Sequence, residues 1–507
     1  MFLLLLLTSV AAVDKDLGDP ATNQLLYFKE RTPGPAALLT TSAGSSVPYC
    51  EATSTLNTRL MNNAFFMESI THSNRERIPE RNVHAKGAGA FGYFEVTHDI
   101  SRICKADFLN QVGKKTPVAV RFSLTTGDRG TSDLIRDSRG FSVKFYTKDG
   151  NFDIVGLNTP INICRDPLQF PTLTHASKRN PATNIFDPNA FWDIITLLPQ
   201  ALFMYLYIFA DRGIPASYCN MPGFGIHTYQ VENERGNTHF VRFHFMPDAG
   251  IKNMFSEEAR NISSWDPDYL TRNLYKSIAC GDFPSWTVSV QILTESDVKK
   301  AGPEAFDVTR VISLKKHPLH QVGKMVLNRN AKNYFAEMEQ LAFNPANTVC
   351  GILGAPDKIY ESRRFAYMDA QLYRLGANFN NIPVNCPFQV KTFTYNRDGA
   401  PPVRDNEEDI PNYYPNSFNG PVPSMTKPCP GLIDITETKG DNLDQAKELY
   451  ASEMKADERS RLVENLVYSL RPVCEFIQKR AIKAFRNIHP DLGNRVALGL
   501  GLNSKWT

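Results

Sequence analysis

Between residues 82 and 314 the chain repeatedly sets apolar residues against polar or small ones at a period of two, and this alternation restricts the fold more than any other feature. In residues 117–123, Val118, Val120 and Phe122 point to one side, and Ala119, Arg121 and Ser123 to the other. Residues 239–246 and 285–293 repeat the pattern. Many short strands punctuated by glycine and proline suit an antiparallel barrel or sandwich. Residues 190–209 form a long apolar stretch broken by Pro199, the pattern of helices laid on a sheet. Residues 323–440 are rich in Asn and Pro, with one helix predicted over 361–375; such a segment wraps another domain or carries function. Residues 444–500 read as amphipathic helices, with Leu462, Leu466, Leu470, Phe476 and Ile477 on the apolar side.

The ends differ from this body. Residues 2–7 are wholly apolar, and Val10-Ala11-Ala12 offers small residues for cleavage, so a secretory signal peptide is expected over 1–12. The organisation that follows is an N-terminal arm over 13–81, a barrel core over 82–322, a wrapping segment over 323–440 and a helical domain over 441–507. A net charge of +3, with basic and acidic residues interleaved, gives no reason to expect a nucleic-acid partner. No internal stretch reaches the roughly 18 uninterrupted apolar residues of a membrane span, so no membrane partner is expected either. The nine cysteines include no CxxC pair, which argues against a zinc or thioredoxin-type site. Cys104, Cys164 and Cys280 lie in apolar segments and are expected to be buried. Asn261-Ile262-Ser263 is a glycosylation sequon that matters only if the chain is exported.

Arg363, Tyr367 and Arg374 are spaced by four and seven residues, which places them on one helix face. Positive charge beside a phenol favours the phenolate, a hard anionic ligand for ferric iron. The same spacing suits a helix whose arginines bind carboxylates while the tyrosine fills the core. Upstream, the charged run ending in Arg81-Asn82-Val83-His84 leads into Gly87-Ala88-Gly89-Ala90, small residues that let a flat ligand or a neighbouring backbone approach. His84 alone could equally be structural. Arg121 and Ser123, on one strand face, could offer a cation beside a hydroxyl.

Two of these stretches carry a resemblance. The run around His84, continuing into Phe91-Gly92-Tyr93-Phe94-Glu95-Val96, closely resembles the active-site signature of the monofunctional haem catalases, of the small-subunit, clade-3 kind. Arg363, Phe365-Ala366-Tyr367, Asp369 and Arg374 resemble the family's second signature. The resemblance implies an α+β fold: an antiparallel β-barrel with an N-terminal arm, a wrapping segment and a C-terminal helical domain, assembled as a homotetramer. It implies haem b held through iron by Tyr367, with Arg363 keeping the phenol ionised and His227 and Asp357 extending that network. Arg81, Arg121 and Arg374 neutralise the haem propionates, and Val83 and Phe170 pack on the haem. His84 moves the proton of hydrogen peroxide, Ser123 orients its ring, and the products are water and oxygen.

The match fails at one position in the expected site. Where the family reads Gly-Asn-Asn-Thr-Pro, this chain has Gly156-Leu157-Asn158-Thr159-Pro160, which puts an apolar side chain in place of a distal amide. The aromatic run that normally follows is Ile161-Asn162-Ile163-Cys164. Asn158 is expected to point away from the site. Activity is therefore expected to be attenuated, and a secreted non-enzymatic or weakly active haem binder is the alternative. Against a haem-free relative stand His84, Ser123, Tyr367 and the three arginines. NADPH, which many of the family carry, is not expected: Phe203, Ala210, Pro222, Met246, Ile312 and Leu314 occupy positions that hold it elsewhere, and only Arg212 remains. The end Ser504-Lys505-Trp506-Thr507 carries no obvious peroxisomal address, which favours secretion.

Overall fold

The computed structural model describes residues 19–56, 59–424, 431–435, 440 and 442–502; the expected signal peptide and residues 504–507 lie outside the described residues. The chain divides into two units, Met1–Glu80 and Arg81–Thr507. In the first, helices Pro20–Arg31 and Ala64–Ser73 start on side-chain caps: Asp19 accepts from the Ala21 N–H, and Asn63 from the Phe66 N–H. Ser42 donates its N–H and hydroxyl to the Glu68 carboxylate, at 2.9 and 3.0 Å.

The second unit holds the sheet: β1 (Gly87–Val96), β2 (Lys115–Leu124), β3 (Arg139–Thr147), β4 (Gly150–Leu157), β5 (Gly223–Phe224), β6 (Tyr229–Glu232), β7 (Thr238–Pro247), β8 (Ser285–Leu293), β9 (Leu319–Asn330) and β10 (Ile352–Gly354). The pairing runs β10-β6-β7-β5-β4-β3-β2-β1-β9-β8, all antiparallel, and a β7–β8 ladder closes it into an eight-stranded barrel with β6 and β10 as an extension. Strand β9 pairs with both β1 and β8, so the barrel continues through the boundary expected at residue 323. Its Lys324, Asn328 and Arg329 mask the alternation of Met325 and Leu327, which are fully buried.

Alternation in β2 has the predicted result. Val118, Val120 and Phe122 enter a core with Phe94, Phe141, Phe145 and Phe152, where Phe122 and Phe141 meet edge to face at 5.1 Å. Arg121 and Ser123 leave on the other face, and they too are buried. Lys144 and Asp153 stand opposite one another on β3 and β4, with the ammonium 2.8 Å from both carboxylate oxygens.

Helices outside the sheet include α1 (Gln169–Ala176), α2 (Pro188–Leu197), α3 (Leu202–Phe209), α4 (Lys358–Leu375), α5 (Ala456–Leu470), α6 (Glu475–Ile488) and α7 (Pro490–Gly499), of which α1 to α5 carry residues that face Arg121 and Ser123 across a cavity. Asp187 caps α2 by accepting from the Asn189 and Ala190 N–H groups. Pro199 opens a short 3-10 turn, and the chain bends by 104° there. All eight residues of α3 are buried, in a second core shared with Trp192, Leu462, Leu466, Ile482 and Phe485. Among the described residues no single helix is long and apolar enough to cross a membrane.

Three expectations need correction. Helix α4 begins at Lys358 rather than 361, because Asp357 accepts from the Tyr360 N–H at 2.8 Å and starts it earlier. Phe476 is 65% exposed, whereas Ile477 faces the core of α6. Cys280 is exposed, since it lies just beyond helix Tyr269–Ala279, whose apolar face is Leu270, Leu274 and Ile278. Cys104 and Cys164 are buried as expected.

Candidate active site

A cavity of about 1390 Å³ lies between the outer face of the barrel and these helices, lined by residues that include Arg81, Val83, His84, Arg121, Ser123, Leu157, Phe170, Arg363, Tyr367 and Arg374. His227 and Asp357 stand behind it, connected through Arg363.

His84 lies just before β1 in a backbone conformation with φ 68°, a left-handed geometry that costs a non-glycine residue about 1–3 kcal/mol. Two contacts hold it there: its N–H donates to the Thr125 carbonyl at 3.2 Å, and its carbonyl accepts from Arg121 Nη1 at 2.8 Å. The ring Nδ1 lies 3.0 Å from Ser123 Oγ, which leaves Nε2 as the nitrogen available for chemistry. Burial, followed by the positive charges of Arg121, Arg363, Arg81 and Lys178, pushes the His84 pKa down to about 3. The ring is thus held neutral, as a proton acceptor must be. Room for the His84–Ser123 pair depends on Gly140, paired opposite Ser123 on β3: a Cβ there would fall 2.5 Å from Ser123 Oγ and 2.8 Å from His84 Nδ1.

On α4, Arg363 donates to Tyr367 Oη at 3.2 Å and to the Val155 carbonyl at 2.6 Å. Its Nη1 lies 2.7 Å from His227 Nε2, and His227 Nδ1 lies 2.9 Å from Asp357 Oδ2. A guanidinium can only donate, so Nε2 accepts and Nδ1 carries the proton given to Asp357. Burial lowers the His227 pKa despite Asp357, keeping the ring neutral. Burial also opposes the charge of Arg363, but Tyr367 and its neighbours more than reverse this and raise its pKa. Asp357, His227, Arg363 and Tyr367 therefore form one continuous chain, and Asp357 also caps the helix that carries the tyrosine.

Arg81, Arg121 and Arg374 form a cluster whose donors are not all used. Arg81 Nη2 donates to the carbonyls of Met338, Glu339 and Leu341, and Arg374 Nη2 to that of Glu339. Among the described residues, buried Arg81 Nη1, Arg121 Nε and Arg374 Nε have no hydrogen-bond partner. The carboxylate beside them is Glu339, 3.7 Å from Arg81 Nη1, at the end of the π-helical turn Phe335–Glu339. Burial and the other two arginines lower the pKa of Arg81, and burial pushes Arg374 down to about 10. With three guanidiniums to one carboxylate, whose Oε2 is itself unpaired among the described residues, the cluster is short of negative charge. Ligand carboxylates would supply it and accept from the unused guanidinium N–H groups. A phenol tied to a guanidinium is likewise a donor suited to ferric iron, and the cavity exceeds the roughly 300–1,000 Å³ of ordinary ligand sites. These residues fit a haem.

Leu157 ends β4, paired with Gly140 and Phe224, and reaches the cavity as part of the apolar core that includes Cys164, Leu173, Ile208 and Ile226. Asn158 turns away as expected: its Oδ1 accepts from the Arg139 N–H at 2.7 Å. The small residues after His84 chiefly admit neighbouring backbone, with Gly89 against the Val120 carbonyl and Gly92 against that of Val326; Gly87 lies against the Arg121 guanidinium. Phe170 lines the cavity but stays 42% exposed.

Sequence reasoning missed two residues. Glu339 has no motif around it and meets Arg81 from more than 250 positions away. Ile226 lines the cavity at φ 66°, within a turn closed by the His227 N–H on the Gly225 carbonyl at 2.7 Å. This is the rare positive-φ γ-turn, strained for a β-branched residue.

Fold and site together define an antiparallel barrel protein with a large cavity flanked by a histidine–serine pair, an arginine–tyrosine pair and an arginine cluster. A family model described as catalase matches residues 40–420, and one described as catalase-related immune-responsive matches residues 436–500. The catalase of Drosophila melanogaster is 45% identical over 503 residues, covering 96% of this chain and 99% of the relative. Catalase-2 of Caenorhabditis elegans is 46% identical over 485 residues, covering 94% and 97%. The structure of catalase A from Saccharomyces cerevisiae superposes with a TM-score of 0.84 at 38% identity, covering 91% of this chain and 99% of that one. A bacterial catalase gives 0.85 at 34% identity, covering 95% and 98%. The chain belongs to the catalase family.

Proposed function

We propose that the cavity holds haem b and that the protein disproportionates hydrogen peroxide to water and oxygen. One observation carries this reading: the Asp357–His227–Arg363–Tyr367 chain ends at the same cavity as the His84–Ser123 pair and three arginines with unmet donors. Bound haem supplies the two-electron redox chemistry. Tyr367 holds its iron, Arg363 stabilises the phenolate, and Arg81, Arg121 and Arg374 take the propionates. Val83 and Phe170 pack against it. His84 Nε2 accepts a proton from one peroxide oxygen and returns it to the other, while Ser123 fixes the ring.

Leu157 gives the peroxide no hydrogen bond. Losing a positioned donor costs on the order of 10²–10³ in rate at a fully charged oxyanion, and less at a peroxide, so turnover is attenuated rather than lost. The same residue favours the second reading, a weakly active haem binder; the intact His84–Ser123 pair favours the enzyme.

The remaining parts of the reading are secretion, a homotetramer, and no nucleic-acid, membrane or NADPH partner. For NADPH, the support is that Phe203, Ala210 and Ile312 lie in apolar packing, and the Arg212 guanidinium sits 5.1 Å from the Tyr207 ring. The deciding experiment measures haem per chain and oxygen release from hydrogen peroxide on one purified sample. Full haem without oxygen release would leave only the haem binder.

A further inference from the structure

Hydrogen peroxide is polar at both ends, whereas Leu157 gives the cavity wall an apolar side chain. His84 offers a proton acceptor, and Leu157 leads away from it into an apolar surface that continues through Ile163, Cys164, Leu173, Ile208 and Ile226. The neighbouring amide of Asn158 is committed to the Arg139 backbone and cannot turn in. Leu157 and Asn158 thus supply no partner for a second hydroxyl, and the wall behind Leu157 offers contact for a hydrocarbon group instead.

Resting on the catalase reading, we infer that this site also accepts apolar organic hydroperoxides, ROOH, with Leu157 as the specificity-determining residue. His84 takes the hydroperoxide proton and returns it to the alkoxy oxygen as the O–O bond breaks, which releases ROH. The two electrons come from hydrogen peroxide, oxidised to O₂ in the second half of the cycle. The balance is ROOH + H₂O₂ → ROH + H₂O + O₂, so no other reductant is required. The R group lies against Leu157 and the wall behind it.

The test uses the holoprotein, wild type and Leu157→Asn, at matched haem content. Binding of 2-phenyl-2-propanol, an unreactive analogue of cumene hydroperoxide, is measured by calorimetry; cumene hydroperoxide loss and oxygen release are followed with hydrogen peroxide present. Wild type should bind the alcohol and consume the hydroperoxide, and Leu157→Asn should weaken that binding roughly tenfold, the scale on which apolar pockets discriminate. If Leu157→Asn does not hold haem, Leu173→Phe, which fills the wall, should weaken the same binding. The inference is overturned if the wild type consumes hydrogen peroxide but neither binds the alcohol nor consumes the hydroperoxide, or if neither substitution changes alcohol binding. A haem-loaded wild type that binds the alcohol but consumes neither peroxide overturns the catalase reading itself.

Discussion

Gly140→Ala isolates the geometry of His84 and Ser123 without touching either. A Cβ at this position comes 2.5 Å from Ser123 Oγ, 2.8 Å from His84 Nδ1 and 3.0 Å from His84 Cε1. Ordinary carbon contacts begin near 3.5 Å, so the hydroxyl must retreat by about 1 Å and the imidazole by about 0.7 Å. The two cannot yield together easily, because they are bonded to each other at 3.0 Å and the His84 backbone is pinned by Arg121 and Thr125. Misplacement on this scale costs about 10²-fold in rate, while overpacking costs about 1–3 kcal/mol of stability. Oxygen release per bound haem should therefore fall by roughly 10- to 100-fold, with haem content close to wild type. Gly130→Ala is the control, since nothing lies within 4 Å of its Cβ. Wild-type turnover per haem in Gly140→Ala would refute the idea that the pair's geometry sets the rate.

Tyr367→Phe should cut haem retention and change the iron spectrum, because it removes the phenol that Arg363 contacts; unchanged haem content and spectrum would place the iron ligand elsewhere. With the His84 pKa pushed down to about 3, the ring stays neutral as pH falls, so oxygen release should show no acid limb between about pH 8 and about pH 5. An inflection near the ordinary histidine value would contradict this. The same depression means that the unfolded state binds more protons than the folded one below about pH 6.5, so this stabilising contribution is full above that pH and is lost as pH falls towards 3. Asp153→Asn leaves Lys144 buried without its charge partner and should cost about 3–5 kcal/mol, read as a lower denaturant midpoint.

The barrel was legible because its strands bury one apolar face at a period of two, and Val118, Val120 and Phe122 behave accordingly. Strand β9 was harder to place, as its exposed Lys324 and Asn328 and half-buried Arg329 break the visible alternation. The Pro199 break was legible because proline cannot continue a helix, whereas the start of α4 was misplaced because the capping role of Asp357 went unread. Arg81, Val83, His84, Arg363, Tyr367 and Arg374 lie in two motifs, Arg121 and Ser123 were read from a strand face, and Phe170, His227 and Asp357 came only from the resemblance; the connections among them were not legible. Nothing local to Glu339 tells that it faces Arg81, and nothing around Ile226 announces a positive φ; both follow from tertiary packing.

The all-round burial of α3 has a consequence for biosynthesis. A helix with no polar face has no stable place in water, and its partners, Leu462 to Leu492, emerge from the ribosome about 250–280 residues later. At 5–20 residues per second that interval is on the order of 15–60 s, during which Leu202–Phe209 remains without its final cover. One wall of the cavity is built from the same core. Completion of the cofactor pocket is thus tied to arrival of the chain's last helices, and a ribosome that stops short of them releases a barrel with a sticky flank and an unfinished site.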